Sequence, residues 1–185
     1  MIEVCLVLEH SYLGDLDIFL VSPTNEIITL FDNFSIGFGS SANLGIPWAL
    51  GTADFGGENV TTPGVGYQYC FVADNSFPTL AEGIQFSDDF PLGDTGNTYQ
   101  DSFVPEGTYS SDEPFSNLLG SSLNGSWTIQ VVDNISADNG YIFSWELNFD
   151  PALTPANLSF TPEIVSGSWA DDPSITENDG DTITI

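Results

Sequence analysis

Chemistry in this chain has to come from carboxylates and amide oxygens. Its 27 Asp and Glu residues are accompanied by one histidine, His10, and by no Lys or Arg. Oxygen donors gathered in loops suit a hard cation of the calcium type, which takes roughly six to eight ligands from carboxylates, Asn side chains and carbonyls. Two stretches offer them. Asp15 and Asp17 stand at the entry to a β-like run, and Asp133, Asn134, Asp138 and Asn139 fall in one short connection between two others. Asp133 and Asp138 are the expected lead ligands and Asp15 the next, with Asp17, Asn134 and Asn139 beside them. A secondary acidic group is Asp88, Asp89, Asp94 and Asp101. The competing reading is that all these residues are turn formers capping backbone N–H groups. The EF-hand spacing, with its closing Glu, is absent.

Other site chemistries find little to work with. A Ser/His/Asp hydrolase would need His10, and no Gly-x-Ser-x-Gly elbow is present. His10 is expected instead to end a strand, buried and hydrogen-bonded to a backbone or carboxylate partner. A glycosidase needs two carboxylates at a set separation, but a chain this acidic contains many accidental pairs. The expectation is a protein that is not an enzyme.

The charge also limits partners. A net −27 with no basic residue cannot release counterions from nucleic acid or bind an anionic membrane surface. It repels itself unless divalent cations or salt screen it. No run of about 18 apolar residues occurs, and Met1 is not followed by a charged and then apolar leader, so neither membrane insertion nor a signal peptide is expected. The chain reads as a piece of a longer secreted or cell-surface protein.

The elements that must position these residues read as β. Ile2 to Glu9, Leu16 to Val21, Ile27 to Phe31, Tyr67 to Ala73, Trp127 to Asp133 and Tyr141 to Phe149 alternate or run continuously apolar, and no helical stripe appears. Turns at Ser22-Pro23-Thr24-Asn25 and Asp138-Asn139-Gly140 separate them. The prediction is an all-β antiparallel sandwich of jelly-roll type. Two long connections, 32–66 and 74–126, are expected to carry function or short strands of their own and to cap one end. Trp127 and Trp145 are expected in the core, Trp48 and Trp169 outside it. The domain should span 1–150, followed by a proline-bearing linker over 151–166. Residues 167–185 read as the start of another β module or a detached acidic strand. Cys5 and Cys70 either pair, at roughly 4 kcal/mol of stabilisation on the chain-entropy model, or stay as buried thiols.

The stretch Glu9-His10-Ser11-Tyr12-Leu13-Gly14-Asp15-Leu16-Asp17-Ile18-Phe19-Leu20-Val21-Ser22-Pro23 resembles the opening of the P domain, or homo B domain, of proprotein convertases. Leu123-Asn124-Gly125-Ser126-Trp127 through Asp133, then Asn139-Gly140-Tyr141 through Trp145-Glu146-Leu147, is similar to that family's closing pattern. The two ends bracket about residues 4 to 149. Gly64-Val65-Gly66-Tyr67-Gln68-Tyr69-Cys70, Leu118-Leu119-Gly120 and Phe149-Asp150-Pro151-Ala152-Leu153 resemble P-like modules of large surface proteins of gliding, Bacteroidetes-type bacteria. The resemblance implies a non-catalytic jelly roll whose partners are neighbouring domains of its own polypeptide. A catalytic protease domain, copies of itself and surface glycans are the other expected partners. Calcium-stabilised adhesion or structure in an extracellular protein is the leading expectation. The alternatives are an accessory domain of a subtilisin-like protease, and a filament subunit in which Thr182 to Ile185 or a neighbouring strand completes the next copy's sheet.

Overall fold

In the computed structural model, residues 2–32, 41–48, 62–93, 97–135, 138–153, 172–178 and 182–184 are described. Among them the fold is all-β, with no helix longer than a single 3-10 turn and none long and apolar enough to cross a membrane. The chain divides into two compact units, Met1–Asp150 and Pro151–Ile185.

The first unit packs two sheets face to face. The larger is built on β1 (Ile2–His10), whose alternating Val4, Leu6 and Leu8 point into the core while its edges pair on both sides. On one side β1 meets β10 (Gly140–Phe149) over its whole length. On the other it meets β5 (Tyr67–Val72), and at His10 the two-residue β4 (Asn43–Leu44). From β4 the sheet continues through β7 (Asn97–Val104) to β6 (Gln85–Leu92), and from β5 to β8 (Gly107–Ser110). The smaller sheet has the order β3 (Ile27–Asp32), β2 (Leu16–Val21), β9 (Thr128–Asp133). Most pairings are antiparallel, as expected of a sandwich, but β4–β7 and β5–β8 are parallel. The second unit contains a small antiparallel pair, β11 (Glu177–Asn178) and β12 (Ile183–Thr184).

The core is the layer between the sheets. Leu6, Ile18, Leu20, Ile28, Leu30 and Phe71 are wholly buried in it, each from a position on the inward face of its pleated strand. One polar group enters this layer with its needs met. The buried Tyr69 hydroxyl donates to the Val104 carbonyl at 3.0 Å and accepts the Gly45 N–H at 2.7 Å. It joins β5 to the segments flanking β4 and β7, and burial pushes its pKa well above the usual range.

The connection over 74–126 is therefore not only a cap: it holds β6, β7 and β8. Of the predicted linker only residues 151–153, a 3-10 turn, are described; the rest of 151–166 lies outside the described residues, as does Trp169. Trp127 packs against the core, whereas Trp145 is 37% exposed, contrary to expectation, because β10 is an edge strand.

Cys5 and Cys70 face each other in the β1–β5 register and are joined by a disulfide, with their Cα atoms 4.0 Å apart. With Glu3 they form the one set of three potential ligand groups mutually within 4.8 Å among the described residues. Bridged sulfurs offer no thiolate to a metal, so this set is structural.

Candidate functional site

Three chain segments meet at one end of the sandwich. β1 ends in His10 and turns through Ser11 and Tyr12 into the 3-10 turn Leu13–Asp15, which delivers Asp15 directly into β2. β9 ends at Asp133, the register partner of Leu16 across the β2–β9 pair. β10 begins at Gly140, opposite His10. A Cβ at Gly140 would lie 2.4 Å from the Glu9 carbonyl oxygen and 2.5 Å from the His10 ring, so only glycine fits there. The connection between β9 and β10 is thereby pinned above the turn that carries Asp15.

The predicted residues divide into two roles. Asp15, Asp133 and Asp138 are the converging carboxylates, brought to one end of the sandwich but not mutually within 4.8 Å: the Asp15 side chain is buried, and its pKa is pushed up to about 6, first by burial and then by the negative charges of Asp138 and Asp133. Asp17 and Asn134 brace the loop. Asn134 gives its backbone N–H and its side-chain Nδ2 to the Asp15 carbonyl, at 2.9 and 3.0 Å, and Nδ2 also donates to Asp17 Oδ2 at 2.8 Å. Asn139 joins through its backbone, its carbonyl accepting the Ser11 N–H at 3.3 Å, while Ser11 Oγ donates to Asp138 Oδ1 at 3.5 Å. The Asp133 Oδ1 accepts the Ile135 N–H at 3.1 Å.

His10, expected from the sequence to end a strand, buried and hydrogen-bonded to a backbone or carboxylate partner, does so beneath this end. It is 3% exposed; Nδ1 accepts the Tyr12 N–H at 3.0 Å, which leaves the ring proton on Nε2, and Nε2 faces Asp133 Oδ2 at 3.6 Å. Nε2 makes no hydrogen bond among the described residues. Nε2 is turned toward a carboxylate, and Nδ1 is already used by the backbone. That geometry suits an electrostatic prop for Asp133 and does not suit a general base. The sequence carries only part of this signal: His10 closes an alternating strand, but its place beside Asp133 depends on two long-range registers.

The secondary group does not converge in this way. Asp88 and Asp89 occupy the bulge between Ser87 and Phe90, where Asp88 accepts from Gln100 Nε2 at 3.1 Å and the Asp89 N–H is capped by Ser87. Asp101 caps the Ser102 N–H at 2.7 Å, and Asp94 lies outside the described residues. A third acidic spot, Asp112 and Glu113, seals the outer edge of β3. Their carboxylates accept the Asp32 N–H at 2.8 Å and the Thr29 N–H at 2.7 Å. Burial raises the Asp112 pKa, with Asp32 and Glu113 adding to it.

Asp15 sets a pH dependence that can be measured. Its folded pKa near 6 lies above the ordinary value of 3.8, so the native state holds the proton more tightly than the unfolded chain. Its ionisation therefore destabilises the fold as pH rises from about 4 through 6, and stability returns as pH falls. In chelator, Asp15→Asn should raise the unfolding free energy at neutral pH by roughly 2 to 3 kcal/mol relative to the parent, and the gap should close near pH 4. Denaturant titrations of both chains at the two pH values check this; a gap independent of pH would show that Asp15 does not carry the buried charge.

A family model for the proprotein convertase P-domain matches residues 93–149, from the start of the β7 region through β9 to the end of β10. The match covers the closing half of the site, Asp133 to Asn139, and supports the P-domain resemblance. No curated protein and no solved structure matches the chain. In proprotein convertases the P domain is an accessory, non-catalytic module.

Proposed function

With residues 93–149 matching the P domain, we propose that this chain is a non-catalytic structural module of an extracellular protein, stabilised by calcium at the Asp15, Asp133 and Asp138 end. The observation that carries the reading is the burial of an ionisable Asp15 next to two further carboxylates, in a chain with no Lys or Arg to neutralise them. An arrangement that destabilises the metal-free fold fits a site completed by a cation. Asp15, Asp133 and Asp138 would hold the ion, Asp17 and Asn134 would fix the loop, and a hard divalent cation would supply charge neutralisation and cross-linking of three segments. A role as a bead between neighbouring domains, or against a protease catalytic domain, follows from the P-domain likeness.

The non-catalytic part has its own test. Incubated with chromogenic ester, peptide and glycoside substrates, with and without calcium, the chain should give no turnover above buffer. Turnover that disappears in His10→Gln or Asp15→Asn would contradict the proposal, since it would place chemistry at this end of the sandwich.

A further inference from the structure

Among the described residues, the two sheets have one covered edge and one side where both edge strands lack a further strand partner. At β3 the outer edge is covered, since the Asp112 and Glu113 N–H groups pair with the Leu30 and Thr29 carbonyls. At the opposite side, β9 pairs only with β2 and β10 only with β1 among the described residues. An antiparallel edge strand turns the N–H and C=O of every second residue outward, so Ser144 to Phe149 of β10 present a ladder edge that no described strand pairs.

The side chains there are those of an unfinished core. Register partners share a face, so Ile142, Trp145 and Leu147 of β10 face inward with their opposites Leu8, Leu6 and Val4. Those β1 residues are 2%, 0% and 0% exposed, whereas Ile142 is 50% and Trp145 37% exposed, and Leu147 is half-buried. Across the gap, Trp127, Ile129 and Val131 are likewise only partly buried although they pack against the core cluster. Two adjacent edges thus leave a partly covered apolar slot, closed at one end where the Trp127 and Phe149 rings meet with centroids 5.5 Å apart. A bulge at Phe143 interrupts β10, leaving Ser144 to Phe149 as an uninterrupted pairing edge.

Charge selects what fits. The outer face of the same edge carries Glu146, with Glu3 beside it on β1, both accepting from Asn148 Nδ2, within a chain of net charge −27. A second copy brings the same charge and is repelled, while a basic partner is attracted. We infer that the β9–β10 side binds an extended, alternately apolar segment of a basic polypeptide, which adds as a strand along Ser144 to Phe149 and buries the slot.

The test uses the whole chain and a synthetic peptide of alternating Val and Thr with a lysine pair at each end. Binding should shift the tryptophan emission to the blue and should be at least about tenfold tighter than for the same peptide flanked by glutamates. A central proline, or shuffling that destroys the alternation, should abolish it, and Ile142→Ser or Trp145→Ser should weaken it about tenfold. Equal binding of the proline or shuffled peptide would overturn strand addition. Equal binding of the glutamate-flanked peptide, self-assembly of the chain in place of peptide capture, or no binding of any peptide would overturn the proposed occupant. The proline and shuffled peptides leave the protein unchanged, so a poorly folding variant does not obscure the result.

Discussion

Removing the Cys5–Cys70 bridge, by Cys5→Ala with Cys70→Ala, should lower the unfolding free energy of the first unit by roughly 4 kcal/mol. The bridge spans 65 residues, and chain entropy assigns a loop of that length a stabilisation of this order. It also ties β1, the strand on which the larger sheet is built, to β5 directly across the ladder. The melting temperature should fall by on the order of 10 °C. Comparison of oxidised parent and double variant by scanning calorimetry reads this. A loss below about 1 kcal/mol would mean that the strands are held in register by packing alone and that the bridge adds little.

Calcium should have the second large effect. A ligand bound only by the native state stabilises it by mass action, by about 2.7 kcal/mol when the free ion stands at a hundred times its Kd. For a unit of this size that corresponds to roughly 5 to 10 °C. The effect should be strongest above pH 6, where Asp15 is ionised in the fold, and should fade below it because proton and cation compete for the same carboxylate. Asp15→Asn should produce a double signature: a more stable chelated chain and no response to the ion. A general screening of the −27 charge would instead survive this substitution and be mimicked by salt.

The strands that line the core were legible in the sequence because burial on one face enforces alternation. Val4, Leu6 and Leu8 in β1, and Ile18 and Leu20 in β2, repeat at the period of two that the pleat requires. β6 and β7 were not legible. Gln85, Phe86, Asp88 and Asp89 lie exposed or at a bulge, Pro91 interrupts the pattern, and Asn97 to Gln100 are exposed. Nothing in that composition separates a solvated hairpin from a loop. Trp145 misled for the converse reason: its alternation marks an inward face, but exposure depends on whether β10 has a neighbour, which no local pattern encodes.

The candidate site was legible by residue type and only partly by arrangement. Asp133, Asn134, Asp138 and Asn139 are close in sequence, so their meeting needs only a short turn. Asp15 joins them because Leu16 pairs with Asp133, and the division between converging carboxylates and bracing residues rests on the hydrogen bonds of Asn134. His10 came into view only with the fold, since its Nε2 faces a residue near the opposite end of the first unit, a meeting set by two sheets rather than by spacing.

Isothermal titration of calcium into the chelated chain at about pH 7.5 tests the central claim most directly. A saturable binding heat is predicted, accompanied by proton release that grows as pH approaches 6 and lost when Asp15→Asn and Asp138→Asn are combined. Absence of a binding heat, or a heat unchanged in that double variant, would contradict the assignment of the cation to this end of the sandwich.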